Sequence, residues 1–155
     1  MCSEVKEYND MSTLAIACDH GGYELKEAIK ERFADRCEFL DFGTNSTESV
    51  DYPEFGQKLA ESIVNGEAQQ GILICGTGIG ISIAANRYKE IRAANCTDTT
   101  MARLTRLHND ANVLALGARL VGLEVAFDIV ETFLNTEYEG GRHDRRVKKL
   151  SEIEC

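Results

Sequence analysis

Apolar residues recur along the chain in short runs, each bounded by Gly, Asp or Asn and followed by a longer amphipathic stretch. The runs fall at about 13–18, 38–42, 71–75, 91–96 and 113–117, and their length and boundaries predict strands. The stretches between them have helical spacing. "YELKEAIKERF" places Leu25, Ala28, Ile29 and Phe33 on one face. "PEFGQKLAESIV" sets Phe55, Leu59 and Ile63 four apart and opens on Pro53, expected at the first helical position. "GISIAANRY", "TTMARLTRLHN" and "LEVAFDIVETFL" continue the series, and a short helix over roughly 144–153 closes the chain.

Strand–helix alternation five times over predicts the α/β class. The expected architecture is a single doubly wound, Rossmann-like sheet of five parallel strands in three layers, α/β/α, with an extra C-terminal helix. Residues 1–11 read as a flexible N-terminal extension, with Met11 a second candidate initiator, and 12–155 as one domain. Ligands of such sheets sit beyond the carboxyl ends of the strands, at the switch point. In a flavodoxin-like strand order, strands one and three would be neighbours there.

Composition narrows the function. The chain has 155 residues, 43% hydrophobic and 28% charged, enough for one globular core. Its formal net charge of −9 disfavours nucleic acid and anionic lipid as partners. No apolar run is long enough to span a bilayer, and "MCSEVKEYND" lacks a signal-peptide core. Six scattered cysteines form no C-x-x-C pair, which argues against a zinc knuckle; the thiols are expected to be reduced, in the cytoplasm.

The strand-to-helix junctions carry the candidate chemistry. The first reads "ACDHGG" and places Asp19 and His20 directly after strand one. The third reads "ICGTGIGIS", with Cys75 and Thr77 among Gly76, Gly78 and Gly80. Alternate glycines let the backbone turn tightly and present N–H groups at a helix N-terminus, which makes an anion cradle. It is not the dinucleotide fingerprint, because Ile81 stands where that motif needs its last glycine, and no Lys-Ser/Thr follows as in a Walker loop. A thiol at a helix N-terminus is favoured as thiolate, which suits a general base; an inert buried cysteine is the plainer alternative. His108 and Asn109 lie at the end of the fourth helix, where a histidine can simply cap. "GGRHDRR" gathers Arg142 and Arg146, four apart and expected on one helix face, as either a phosphate clamp or a solvated basic end.

Taken in order, "CDHGG", "DYPEFG", "ICGTGIGISIAANR", "RLHNDANVLALGAR" and "YEGGRHDRRV" closely resemble the family of type B ribose-5-phosphate isomerases, which includes galactose-6-phosphate and allose-6-phosphate isomerases. The likeness runs from about Thr13 to the C-terminus. It implies aldose–ketose isomerisation of D-ribose 5-phosphate and D-ribulose 5-phosphate, in the pentose phosphate pathway, through a cis-enediolate and without metal or other cofactor. On this resemblance Cys75 is the base and Thr77 assists proton traffic between O1 and O2. The amides of residues 76–80 hold the enediolate oxygen. Asp19 and His108 open the ring, with Asn109 beside them and Tyr52 of "DYPEFG" against the substrate. His20, Arg119, Arg142 and Arg146 form the phosphate shell. A branch with a glutamate base carries it where Ile81 stands, so this chain goes with the cysteine branch.

Three rivals remain at this level. One is a six-carbon aldose 6-phosphate isomerase, for allose or galactose 6-phosphate. Another is a phosphate-ligand-binding regulatory module on the same fold. The third is an inactive subunit of a hetero-oligomer. The joint presence of base, ring-opening pair and arginines favours the active isomerase. A fourth helix that starts at the catalytic edge and runs back about 15 Å carries His108 away from its own Cys75. The expected assembly is therefore a homodimer with shared active sites, or a tetramer built from it.

Overall fold

The hydrophobic runs form five strands: β1 (Ser12–Cys18), β2 (Cys37–Asp41), β3 (Gln70–Cys75), β4 (Ala93–Asn95) and β5 (Val113–Gly117). The structure, a computed structural model, describes residues 11–154. The expected extension over 1–11 lies, apart from Met11, outside the described residues. All strand pairings are parallel, in the order β2-β1-β3-β5-β4. β1 and β3 are neighbours, as expected, but β5 rather than β4 stands beside β3. Burial explains the exchange. Every residue of β5 (VLALG) is buried, whereas β4 is three half-exposed residues and serves as an edge.

The helices are α1 (Tyr23–Arg32), α2 (Tyr52–Val64), α3 (Ile79–Ala85), α4 (Thr99–Asn109), α5 (Leu123–Asn135) and α6 (Asp144–Ser151). Strand side chains alternate between two cores. Ile16, Cys18, Ile72, Ile74, Leu114 and Leu116 pack against α1, α4 and α5 through Leu25, Ile29, Ala102, Ile129 and Phe133. Ala15, Ala17, Leu73, Cys75, Val113 and Ala115 face α2 and α3 through Phe55, Leu59, Ile81 and Ala85. These are the three layers. Right-handed crossovers require this division. The chain steps toward the β2 edge both from β1 to β2 and from β4 to β5, with α1 and α4 on one face. It steps the other way through α2 and α3, which cover the opposite face.

A consequence follows for β3. Its neighbours β1 and β5 both send their following helices to the face that α3 does not occupy. The carboxyl end of β3 is thus flanked by a parting of the chain on both sides, the place where sheets of this kind bind their ligands.

Local details follow from sequence. α2 starts at Tyr52, one residue before the expectation, so Pro53 sits second in the first turn, where its missing N–H is no loss. α4 is capped by Asp98, whose Oδ1 accepts from the Met101 N–H at 2.7 Å, and ends on Asp110 at φ 46°. α1 is tied to β2 by a buried lysine. Lys26, 0% exposed, places Nζ 2.8 and 2.6 Å from the two Asp41 oxygens, and Lys30 Nζ is 2.8 Å from the second. Among the described residues no helix is long and apolar enough to cross a membrane.

Candidate active site

The thiol is the last residue of β3, and the chain turns immediately after it. Gly78 takes a left-handed φ of +78° as N-cap of α3, and a Cβ there would collide with Asn95 Oδ1 and approach the Leu116 carbonyl carbon at 2.8 Å. That turn points the Gly78 N–H at Cys75 Sγ, 3.1 Å away, while Cys75 itself is buried. The thiol sulfur is therefore an acceptor in this loop. Thr77, exposed beside it, accepts the Ile79 N–H on Oγ1 at 3.2 Å, so its O–H proton is left to donate outward. Gly80 and Ile81, in the first turn of α3, have no intrahelical acceptor for their N–H groups.

Residues from both flanking strands close on this loop. Asp19 follows β1; its buried carboxylate accepts the Gly21 N–H on Oδ1 at 2.9 Å, and its backbone N–H donates to the Ile74 carbonyl at 3.1 Å. His20 Nδ1 accepts the Val50 N–H at 3.2 Å, which makes Nε2 the proton-bearing nitrogen of the neutral ring. After β5, the Arg119 N–H donates to the Gly76 carbonyl at 3.0 Å. The Arg119 side chain lies against the Gly76 α-carbon, 3.4 Å from where a Cβ would stand. On α2, the Tyr52 ring covers Gly80 so closely that a Cβ there would meet ring carbons at 2.7 Å. Asp19, His20, Tyr52, Cys75, Gly76, Thr77, Gly78, Gly80 and Arg119 thus form one constellation at the carboxyl edge.

One contributor escapes sequence reasoning. Asn95 ends β4, and its Nδ2 donates to the Thr77 carbonyl at 3.2 Å while its Oδ1 is buried with no partner. It positions the thiol loop from the edge strand. The signal was its place at the carboxyl end of a strand, in "AANC".

His108, Asn109, Arg142 and Arg146 are elsewhere. α4 begins after β4 and runs back, so its end adjoins the start of β5. Asn112, just before that strand, accepts the Gly71 N–H at the beginning of β3, on its backbone oxygen at 3.0 Å. Four residues of β3 separate that end from Cys75, about 13 Å at ~3.3 Å each. Asp110, not His108, is the C-cap of α4. His108 instead stacks on His143, ring centroids 4.5 Å apart at 19°. The two rings, Asn109 and Arg146 line a cavity of about 340 Å³. Arg142 does not share an α-helical face with Arg146 as expected. α6 starts only at Asp144, and Arg142 belongs to a 3-10 turn (Gly141–His143) preceded by Gly140 at φ 71°.

A cavity of about 580 Å³ also opens at the amino edge. Its arginines are already engaged: Arg106 donates to Asp110 Oδ1 at 2.9 Å and Arg92 to the Asp110 carbonyl at 2.9 Å. With both guanidinium groups committed to Asp110, it offers a phosphate little.

A family model described as Ribose/Galactose Isomerase matches residues 14–150. The chain is 49% identical over 145 residues to ribose-5-phosphate isomerase B of Escherichia coli (strain K12), covering 93% of this chain and 97% of that one. Its fold matches ribose-5-phosphate isomerase B of Clostridium thermocellum with a TM-score of 0.90 at 57% identity, over 91% of this chain and 96% of that one. It matches a ribose 5-phosphate isomerase of Thermotoga maritima with a TM-score of 0.90 at 53% identity, over 93% and 100%.

Proposed function

The chain belongs to the ribose/galactose isomerase family, and from that premise we propose that it interconverts D-ribose 5-phosphate and D-ribulose 5-phosphate with Cys75 as the general base. As a member of the type B branch it is an aldose–ketose isomerase; the assignment of roles below is our own. One observation carries it: the Cys75 sulfur accepts a backbone N–H within a glycine loop that Asp19 and Arg119 adjoin and Thr77 belongs to.

The chemistry runs in order. In ring opening, the Asp19 oxygen not held by Gly21 takes the proton of the C1 hydroxyl, the O1 electrons form the C1 carbonyl, the bond from C1 to the ring oxygen breaks, and His108 of the second copy gives that oxygen its proton. The Cys75 thiolate takes the proton from C2 of the open aldose. The C2–H electrons form the C1–C2 double bond, and the carbonyl electrons move to O1, giving the cis-enediolate. The free amides of the first turn of α3 stabilise that oxygen. Thr77, with its O–H proton uncommitted, hands a proton between O2 and O1. Cys75 returns its proton to C1 and the ketose forms. The phosphate is far from the reacting carbons, and its binding energy orients them. His20 Nε2–H and Arg119 bind it from this chain.

The remaining phosphate arginines, Arg142 and Arg146, and the ring-opening His108 with Asn109 come from a second copy. Their placement at the amino edge, one strand length from Cys75, supports this reading. So do Ile79 and Ile83, four residues apart on α3 and 52% and 59% exposed directly beside the thiol loop. A second copy covering them brings its own amino edge to this loop, in a homodimer with two shared sites.

The test is a panel of aldose phosphates incubated with the purified protein and a chelator, with ketose measured. Ribose 5-phosphate should yield ribulose 5-phosphate faster than allose or galactose 6-phosphate yields its ketose. Absence of ketose from every sugar would end the isomerase reading.

A further inference from the structure

His143 is 6% exposed, and its Nε2 is buried without any hydrogen-bond partner. An orphaned imidazole nitrogen carries a desolvation cost that a fold does not leave unanswered without reason. Two other donors face it. Glu139 Oε2 lies 3.7 Å from His143 Nε2 and 4.0 Å from His108 Nε2, too far for hydrogen bonds. One nitrogen from each histidine and a Glu139 oxygen all lie within 4.8 Å of one another. We propose that His108, Glu139 and His143 form a binding site for a divalent transition-metal ion, with Zn²⁺ the best match.

The donor set decides the class of ion. Two imidazoles and one carboxylate suit zinc and its neighbours rather than calcium or magnesium, which take oxygen ligands. Tetrahedral zinc with bonds of ~2.0–2.1 Å holds its ligand atoms about 3.3 Å apart. Glu139 needs to move by less than 1 Å to reach that value, whereas the His108 ring, stacked on His143 at 19°, has to rotate out of the stack to aim a nitrogen at the same ion. Both are free to move: their side chains are 51% and 36% exposed, while His143 at 7% is the fixed post. The backbone already holds the pieces in register, since the Glu139 N–H donates to the Leu107 carbonyl at 3.2 Å, one residue from His108. Three protein ligands leave a fourth position, open to the cavity that Asn109 and Arg146 line. The guanidinium of Arg146 in that cavity opposes a cation, so affinity should fall below that of a closed structural zinc site.

Binding would draw His108 away from substrate. This consequence for turnover, unlike the site itself, rests on the role proposed above for His108. The experiment therefore reads binding first. The chelator-treated full-length protein is titrated with Zn²⁺ by calorimetry, and with Co²⁺ by visible absorption, whose ligand-field bands report imidazole and carboxylate coordination. One ion per chain should bind. Glu139→Gln should weaken it at least about tenfold, as loss of a charged ligand requires. Glu139 is exposed, so this variant keeps its fold. His143→Gln should do the same, with folding checked by circular dichroism. Unchanged affinity in Glu139→Gln, or no binding to the parent protein, overturns the site. In parallel, Zn²⁺ should inhibit isomerisation and EDTA should reverse it. Binding lost in Glu139→Gln but without inhibition in the parent keeps the metal site and removes His108 from turnover. Equal inhibition of parent and Glu139→Gln would place the ion at Cys75 and refute the proposal.

Discussion

Cys18 and Cys75 end neighbouring strands at the same edge of the sheet, in different surroundings. Burial pushes the Cys18 thiol up to about 12, and Cys96 up to about 11; burial raises Cys37 as well. These three are small core residues that stay protonated. Cys75 instead receives the Gly78 N–H on its sulfur. Cys75→Ala should lower kcat by 100-fold or more, within the ~10²–10⁴ range of a general base, while KM changes by less than about threefold. Retention of more than about a tenth of the parent rate would assign the base elsewhere. Iodoacetamide should label Cys75 before Cys18, Cys37 and Cys96, with ribose 5-phosphate slowing the reaction, as peptide mapping can follow. Much of this was legible in the sequence, because a thiol followed by alternate glycines is a local signal. Asn95 and Glu139 were not. Each acts on a residue 18 or more positions away, on Thr77 or on His108, and no spacing along the chain announces such a meeting.

Between elements, the attachment of α1 to β2 depends on one carboxylate. Burial raises the Asp41 carboxyl, but hydrogen bonds from Lys26, Lys30 and the Gly43 N–H outweigh it and hold the group below its ordinary range. The hydrogen bond to Asp41 in turn raises Lys30. A lowered carboxyl stabilises the fold at pH above its unfolded value of ~3.9, and that contribution is lost as pH falls through the folded value. A raised lysine contributes below ~10.4 and loses its part as pH rises through its folded value. Asp41→Asn removes the nearest counterion of the fully buried Lys26 and leaves only the half-exposed Glu27 carboxylate at 3.3 Å, so it should cost about 3 kcal/mol. The deficit should hold from about pH 5 to 9 and shrink in acid. Lys26→Met, of similar length and apolar, leaves Asp41 paired to Lys30 and should cost less. Urea unfolding of both variants checks the order; a Lys26→Met deficit equal to that of Asp41→Asn would contradict it. The helices themselves were legible, since 3.6-residue periodicity is written locally. α4 begins and ends where its pattern does, on Thr99 and Asn109. The order of β4 and β5 was not legible, because it depends on which of two apolar segments is better buried beside a third.

At the scale of the molecule, the proposed site is divided between two edges of one sheet, and a mixing experiment tests whether two chains reunite it. Inactive Cys75→Ala and inactive His108→Ala chains, unfolded and refolded together, should recover up to about a quarter of parent activity. Random pairing makes half the dimers mixed, and each mixed dimer has one intact site of two. No recovery from demonstrably mixed dimers would put Cys75 and His108 in the same chain's site. The parting of the chain on both sides of β3 was implicit in strand–helix alternation, whereas the covered face of α3 was hidden: Ile79 and Ile83 read as ordinary helix residues until their exposure is seen. That exposure has a further meaning for the choice of sugar. On the proposed shared site, His20 and Arg119 of the thiol-bearing chain and Arg142 and Arg146 of the other would hold the phosphate together, so its position relative to the thiol would depend on both chains. On that proposal the number of carbons that fits between base and phosphate would be measured by how two copies dock, with Ile79 and Ile83 as the bearing of the gauge. A change of substrate length becomes a matter of subunit geometry, open to residues that never touch a sugar.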